Sequence, residues 1–297
     1  MKNILFTGLT GFLGKNFQSL IKDRDMHVFP LPCDILSGHG KITDFTYHFS
    51  KEDLLKENIN TIDVLVHAGA FSPKTREQMN DIDNNILNIT NTQHLLNNLP
   101  TLPKKIIYIS SISVYNIPSL EVVNEFSPTE GDSIYGLSKL MSEKIVIEFA
   151  KKNNIDCQIL RLGVMYGNNK GYQGLIPSFI QNIMENKPIC TFNDGVELKN
   201  FIHVQDVCEV IYQSILQDSS DYPIINVVNT DNISVKDVAK KLISLSNKNI
   251  NIDTVQKNQT HQITFDTTLL QKAFQLQQKS YNKGLEESFN FFTKECT

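Results

Sequence analysis

The chain has 297 residues, and its 28 Lys and Arg against 32 Asp and Glu give a formal net charge of −4. That balance leaves no basic footprint for nucleic acid, and no apolar run reaches membrane-spanning length, so neither a nucleic-acid nor a membrane partner is expected. Five scattered cysteines without a C-x-x-C pair argue against a disulfide framework or zinc site and, with no room for a signal peptide before the first strand, for a cytoplasmic protein.

Asn3–Thr7 reads as a buried strand, followed by Gly8, Gly11 and Gly14 and then a helix through Phe17, Leu20 and Ile21. Gly8 permits a tight turn, Gly11 lets the backbone approach a pyrophosphate, and Gly14 lets the helix pack closely on the sheet. The helix N-terminus adds free N–H groups and a positive dipole end. A strand before and a helix after distinguish this dinucleotide fingerprint from three turn glycines. His27–Leu31 is the second predicted strand, and the first carboxylate beyond it is Asp34. That is too late to hold an adenine ribose 2′-OH, and no arginine is placed to grip a 2′-phosphate, so both NADP and NAD stay open.

A short helix is predicted over Lys51–Asn58, a strand over Asp63–His67, and a helix from about Met79 to Leu99 with Ile82, Ile86, Ile89 and Leu96 on its apolar face. Pro100 and Pro103 end it; then come a strand at Lys105–Ser110, a helix from about Tyr135 to Asn153, and a strand at Cys157–Leu162. The alternation predicts an α/β fold, a doubly wound parallel sheet of Rossmann type. From Gly163 the loops lengthen and fill with Gly and Pro, which predicts a smaller C-terminal α+β substrate lobe. Ser234 with Asp237 starts a helix there. The expected dinucleotide-binding domain is residues 1–162 plus about 199–228, and the substrate-binding lobe is 163–198 plus 229–297.

Tyr135 and Lys139 are four residues apart on a predicted helix, so phenol and ammonium share one face. A free phenol ionises near about 10, and a neighbouring cation lowers that barrier. Such a pair moves a proton to or from a sugar oxygen while hydride moves on a nicotinamide. Ser111 ends a strand at the carboxyl edge of the sheet, where its hydroxyl can orient the reacting oxygen. Ser110 and Ser113 read more simply as turn residues. His203 and Asp206 read as structural, since a metal pair there has no evident third ligand.

These segments together resemble the extended short-chain dehydrogenase/reductases, which include nucleotide-sugar epimerases, dehydratases and reductases. TGLTGFLG resembles the family's T-G-x-x-G-F-x-G, Tyr135/Lys139 its Y-x-x-x-K, and SSISVY its S-S-x-x-V-Y. DVLVHAGA, LRLGVMYG and DGVELKNFIHVQDV resemble three further family segments, so the likeness runs from residue 2 to about 215. It implies Ser111, Tyr135 and Lys139 as catalytic residues. It also implies cofactor contacts at Gly8, Thr10, Gly11, Phe12, Leu13, Gly14, Ala68, Gly69, Ala70, Asn85, Tyr135, Lys139 and Leu162, with Asn85 opening the helix after DVLVH. Ser111, Ser113 and Lys199 are the expected substrate contacts.

Departures from the pattern narrow the reading. Dehydratases carry Asp-Glu after the catalytic Ser/Thr, where this chain has Ile112 and Ser113. Val164 stands where many relatives have a substrate-binding Asn, and Lys199 replaces an Arg, keeping the charge but losing the fork. The expectation is an NAD(P)H-dependent reductase of a nucleotide-linked 4-keto-6-deoxy sugar. The alternatives are a C4 epimerase with tightly held NAD and a non-catalytic dinucleotide-binding protein. The apolar faces of Ile82–Leu99 and Leu137–Ala150 either pack on the sheet or pair across a two-fold axis into a homodimer.

Overall fold

The computed structural model describes residues 2–31, 46–116, 122–168, 174–256 and 263–294. Asp34, on which the cofactor argument turned, lies outside them, as do Cys33, Gly171 and Cys296. In chain order the strands are β1 (Lys2–Thr7), β2 (Met26–Pro30), β3 (Val64–His67), β4 (Lys105–Ser111), β5 (Val122–Val123), β6 (Asp156–Leu162) and β7 (Val164–Tyr166). They continue with β8 (Ile189–Phe192), β9 (Leu198–Lys199), β10 (Phe201–His203), β11 (Ile224–Val227), β12 (Ile233–Ser234), β13 (Ile252–Val255) and β14 (Thr264–Phe265). The helices are α1 (Phe12–Ile21), α2 (Lys51–Lys56), α3 (Arg76–Met79), α4 (Ile82–Asn97) and α5 (Ile134–Asn153). After these come α6 (Leu175–Met184), α7 (Val204–Leu216), α8 (Val235–Ser246), α9 (Thr268–Ala273) and α10 (Tyr281–Thr293).

Two compact units emerge: one of Met1–Asn116, Glu125–Leu162 and Cys208–Asn226, the other of Ile117–Asn124, Gly163–Val207 and Val227–Thr297. Residues 199–207, expected with the first unit, fall in the second, where β10 pairs in parallel with β7.

The first unit is built on a six-stranded sheet in the order β2-β1-β3-β4-β6-β11. The pairs β1–β2, β1–β3, β3–β4 and β4–β6 are all parallel. Ile4, Leu5 and Phe6 are completely buried, as are Leu65 and Val66. Such continuous apolar runs mark strands covered on both faces. Helix α2 begins with a capping box: the Ser50 hydroxyl accepts from the Asp53 N–H, and the Asp53 carboxylate accepts from the Ser50 N–H.

The single helix expected over Met79–Leu99 is two, α3 and α4. Asp81 caps α4 by accepting from the Asn84 N–H at 3.1 Å. Asp81, not Asn85, therefore opens this helix. The face of α4 toward the unit carries Asn85, Asn88, Asn91 and Thr92 alongside Leu95 and Leu96, whereas Ile82 and Ile86 are exposed. These two isoleucines are not packed on the sheet.

The second unit packs α6, α8 and α10 around Tyr166, Phe179, Ile183, Phe201, Leu242 and Phe289. Its strands form two-residue to four-residue pairs: β7–β10, β9–β12, β8–β13 and β5–β14. Ser234 caps α8 from 3.0 Å off the Asp237 N–H, as the sequence suggested.

Candidate active site

Because the strands run parallel, the carboxyl ends of β1, β3, β4 and β6 lie on one edge of the sheet. Thr7 pairs with His67, His67 with Tyr108, and Ser111 with Leu162. The glycine turn, Ala68–Ala70, Ser111 and Leu162 thus leave the sheet side by side, where open α/β sheets bind ligands.

The glycine turn is fixed by close backbone approach. Gly8 has φ +78°, and a Cβ there would sit 2.8 Å from both Cα and N of Gly69. The exits of β1 and β3 therefore touch backbone to backbone. A Cβ on Gly14 would fall 2.3 Å from Leu9 Cα, so Gly14 lets α1 close on the turn itself rather than on the sheet. Gly11 is exposed and N-caps α1 without a side-chain hydrogen bond, and a Cβ there would meet only Gly8 O, at 3.2 Å. Thr10 is exposed, Phe12 half-buried and Leu13 buried. The first turn of α1 thus faces outward without a side-chain cap, the form of an anion seat.

Thr7, which the sequence reading passed over, organises the edge. Its Oγ1 accepts from the N–H groups of Ala68 at 3.1 Å and Gly69 at 2.8 Å. It also lies 2.8 Å from His67 Nδ1, while His67 Nε2 lies 2.9 Å from Thr92 Oγ1. Thr92 donates its own proton to Asn88 O at 2.7 Å, so His67 is the donor at Nε2 and the acceptor at Nδ1. Protonating Nδ1 breaks this chain. Burial, and then the Lys139 cation, push the His67 pKa down to about 3. In the unfolded chain histidine titrates near 6.5, so the unfolded state binds the extra proton between those values. Stability from this group is complete above about pH 6.5 and is lost as the pH falls toward 3. Urea unfolding is expected to show a midpoint that drops through mildly acidic pH, and His67→Gln is expected to flatten that slope.

Asn88, one turn beyond the expected cofactor contact Asn85, ties this edge together. Its Oδ1 accepts from the Phe71 N–H at 2.7 Å, and its Nδ2 donates to Phe71 O at 3.2 Å and to Ser138 Oγ at 3.0 Å. It joins the segment beyond Ala70 to the start of α5. Asn85, one turn earlier, is buried and donates to Gln78 O and Asp81 O, leaving its Oδ1 without a partner. The signal for Asn88 was the Asn85, Asn88, Asn91 spacing, which places polar groups on the inward face.

Ser111, Ser113, Tyr135 and Lys139 come together at the end of β4. Ser111 Oγ accepts from the Ser113 N–H at 3.1 Å, closing a 3₁₀ turn over Ile112–Val114. The Gly131 N–H donates to Val114 O at 2.9 Å and the Asp132 N–H to Ser113 O at 3.0 Å. The Ser113 hydroxyl hydrogen-bonds the Asp132 carboxyl, whose pKa burial raises. A Cβ on Gly136 would lie 2.0 Å from Ser113 O, so only glycine lets α5 start against this turn. Ser133 caps α5 by accepting from the Gly136 N–H at 3.1 Å. One turn on, Lys139 Nζ donates to Ile109 O at 2.6 Å and stands 4.4 Å from the Tyr108 ring. The face of α5 bearing Tyr135 and Lys139 therefore runs along Ile109–Ser113. Tyr135 is half-buried and Lys139 fully buried. Burial pushes the Lys139 pKa down to about 7, against the opposing pull of Glu143. An ammonium so poised exchanges its proton near neutrality.

In the second unit, Lys199 is held 2.7 Å from the Glu197 carboxylate, so it must leave that partner to meet a phosphate. Val164 is exposed and offers no side-chain hydrogen bond. His203 is buried, with its pKa pushed down to about 4 by burial, and its Nδ1 accepts from the Gln205 N–H at 3.3 Å. Asp206 accepts from the Lys279 N–H at 3.1 Å. Among the described residues no group of three or more His, Cys, Asp or Glu is placed to hold a metal, and no helix is long and apolar enough to cross a membrane.

Glycine turn, open helix end and Ser–Tyr–Lys face together define a dinucleotide-binding α/β enzyme. The comparisons give it a family. Residues 4–227 match the model of the NAD dependent epimerase/dehydratase family, and the chain belongs to that family. A putative UDP-glucose 4-epimerase of Methanocaldococcus jannaschii is 28% identical over 69% of this chain and 71% of its own. A dTDP-4-dehydro-6-deoxy-D-allose reductase of Streptomyces bikiniensis is 22% identical over 98% of this chain and 96% of its own. The solved UDP-glucuronic acid 4-epimerase of Bacillus cereus superposes with a TM-score of 0.80 at 23% identity, over 99% of this chain and 100% of that one.

Proposed function

We propose that this protein reduces a nucleotide-linked 4-keto-6-deoxy sugar at C4. The observation that carries the reading is the pair Ile112 and Ser113 beside an otherwise complete Ser111, Tyr135 and Lys139 set. Neither side chain can serve as the acid or base that eliminating water requires, so hydride and proton transfer at a carbonyl is the chemistry left to the site. The likeness to a named sugar reductase over nearly the full chain supports it.

A bound NADPH or NADH would supply the hydride and be left as NADP or NAD. The residues fit such a cofactor: the exposed Gly11, the uncapped first turn of α1 and the mutual approach of Gly8 and Gly69 leave a smooth backbone surface for a pyrophosphate. Ser111 donates a hydrogen bond to the sugar oxygen and sets its position. Tyr135 gives that oxygen its proton. Lys139, as a cation, lowers the cost of the phenolate left behind.

The second reading, a C4 epimerase, draws on the relatives named as epimerases. Cofactor stoichiometry separates the two. A reductase is expected to consume one reduced dinucleotide per sugar; an epimerase purifies with dinucleotide bound and consumes none. Failure to oxidise NADPH or NADH with any dTDP-, GDP-, CDP- or UDP-linked 4-keto sugar contradicts the reductase reading.

We further propose a homodimer through α4 and α5. These helices pack together, with Ser142 Oγ donating to Asn88 O at 3.0 Å, and they leave Ile82, Ile86, Leu137 and Met141 exposed. Apolar side chains exposed on neighbouring helices mark an association surface. Sedimentation is expected to give twice the chain mass, and Ile86→Asp with Met141→Asp to halve it. The scattered cysteines Cys157, Cys190 and Cys208 suit a reducing, cytoplasmic setting.

A further inference from the structure

Tyr135, Lys139 and Glu143 recur every four residues along α5, and the reaction proposed above uses only the first two. Glu143 is fully buried and takes three hydrogen bonds. Arg161 of β6 grips it with both arms, Nε to Oε1 at 3.0 Å and Nη2 to Oε2 at 2.8 Å. Ser110, next to Ser111, donates to the same Oε1 at 2.5 Å. Arg161 is pinned in turn, with Nη1 donating to the Tyr115 hydroxyl at 2.8 Å, which donates to Asn226 Oδ1 at 2.8 Å.

A buried ion pair is a poor device for stability alone, because apolar replacements often serve as well. This one grips the residue beside the reactive serine and sits one helical turn from the reactive lysine. Arg161 satisfies the carboxylate through a rigid fork, so the carboxylate cannot swing away from the Lys139 side of the helix. Among the described residues, the immediate partners of the Lys139 ammonium are a backbone carbonyl and a ring face.

We propose that Glu143, locked by Arg161 and Ser110, is a positioning residue that keeps Lys139 a cation in its buried seat and so tilts the Tyr135–Lys139 pair toward phenolate and ammonium. The proposal rests on Tyr135 and Lys139 acting as the proton-handling pair. The opposition of burial and Glu143 at Lys139 has the sign it requires. A carboxylate two turns from Tyr135 and one from Lys139 acts chiefly on the lysine.

The test is the ultraviolet titration of the Tyr135 phenolate, taken as the difference between each protein and its Tyr135→Phe counterpart, which needs neither sugar nor dinucleotide. Glu143→Gln is expected to raise the Tyr135 midpoint by about one pH unit, and Glu143→Asp to restore most of the difference. Because Glu143→Gln strands a buried guanidinium, Glu143→Gln with Arg161→Met removes both charges, keeps an acceptor for Ser110 and is expected to show a smaller rise of the same sign, since losing the Arg161 cation offsets part of the effect. In a Lys139→Met background Glu143→Gln is expected to give no rise, since the effect passes through the lysine. A folded double variant with the wild-type midpoint overturns the proposal, as does an equal rise without Lys139. A wild-type midpoint that Lys139→Met leaves unmoved overturns it too, and places the fault in the Tyr135–Lys139 pair itself.

Discussion

Tyr135→Phe is expected to lower kcat by about 10²–10⁴-fold, the range for removing a general acid, while leaving dinucleotide affinity nearly unchanged. The substitution deletes one oxygen and keeps the half-buried ring, while other groups hold the start of α5. The start of the helix is set by Ser133 on the Gly136 N–H, by Gly136 against Ser113 O, and by Ser138 Oγ on Tyr135 O at 2.8 Å. The loss therefore belongs to proton transfer and not to folding. Stopped-flow oxidation of the reduced nicotinamide, alongside fluorescence titration of its binding, separates the two. Equal turnover in wild type and variant removes Tyr135 from the chemistry, whereas a parallel loss of binding makes it a cofactor contact first.

Gly14→Ala and Gly11→Ala are expected to part stability from binding. In α1 an alanine gains about 1 kcal/mol of helix propensity over glycine. At Gly14 the new methyl meets the Leu9 backbone at 2.3–2.4 Å, and backbone cannot rotate away as a side chain can. Overpacking of this kind costs about 1–3 kcal/mol and often more, so the clash outweighs the propensity gain. A lower Tm and loss of dinucleotide binding are both expected at Gly14. At Gly11 the methyl meets only Gly8 O at 3.2 Å and otherwise faces outward. Its Tm is expected to fall only slightly, with dinucleotide affinity falling at least tenfold, because the methyl occupies the surface a pyrophosphate would use. Thermal unfolding with and without NADPH measures both. A Gly11→Ala protein that binds as tightly as wild type places the anion elsewhere.

Much of this was legible because the signals are local. Gly8, Gly11 and Gly14 sit between one strand and one helix, and Tyr135 and Lys139 need only one helical turn to meet. Ser234 and Asp237 are likewise a cap written within four residues. The hydrogen bonds that hold the edge were not legible, because they join residues far apart in sequence. Thr7 meets His67 and the Ala68–Gly69 backbone, Asn88 meets Phe71 and Ser138, and Arg161 meets Glu143.

Periodicity left two roles open for the apolar face of α4. Ile82 and Ile86 are exposed, and the inward face carries asparagines paired to backbone, since polar groups so paired are not costly to bury. The break at Asn80–Asp81 was missed because Asp81 resembles any helix-surface acid until its bond to the Asn84 N–H is seen. In the second unit the strands are two to four residues long and pair across large gaps, as β8 does with β13, so alternation has no length in which to declare itself.

The central claim is that this edge of the sheet reduces a sugar carbonyl and does not merely hold a dinucleotide. It is tested most directly by the fate of deuterium carried on the reduced nicotinamide and offered with 4-keto-6-deoxy sugar nucleotides. Deuterium at C4 of the product, with one dinucleotide oxidised per sugar, is the expected result; full retention of the label on the dinucleotide with every nucleotide-linked ketone contradicts it.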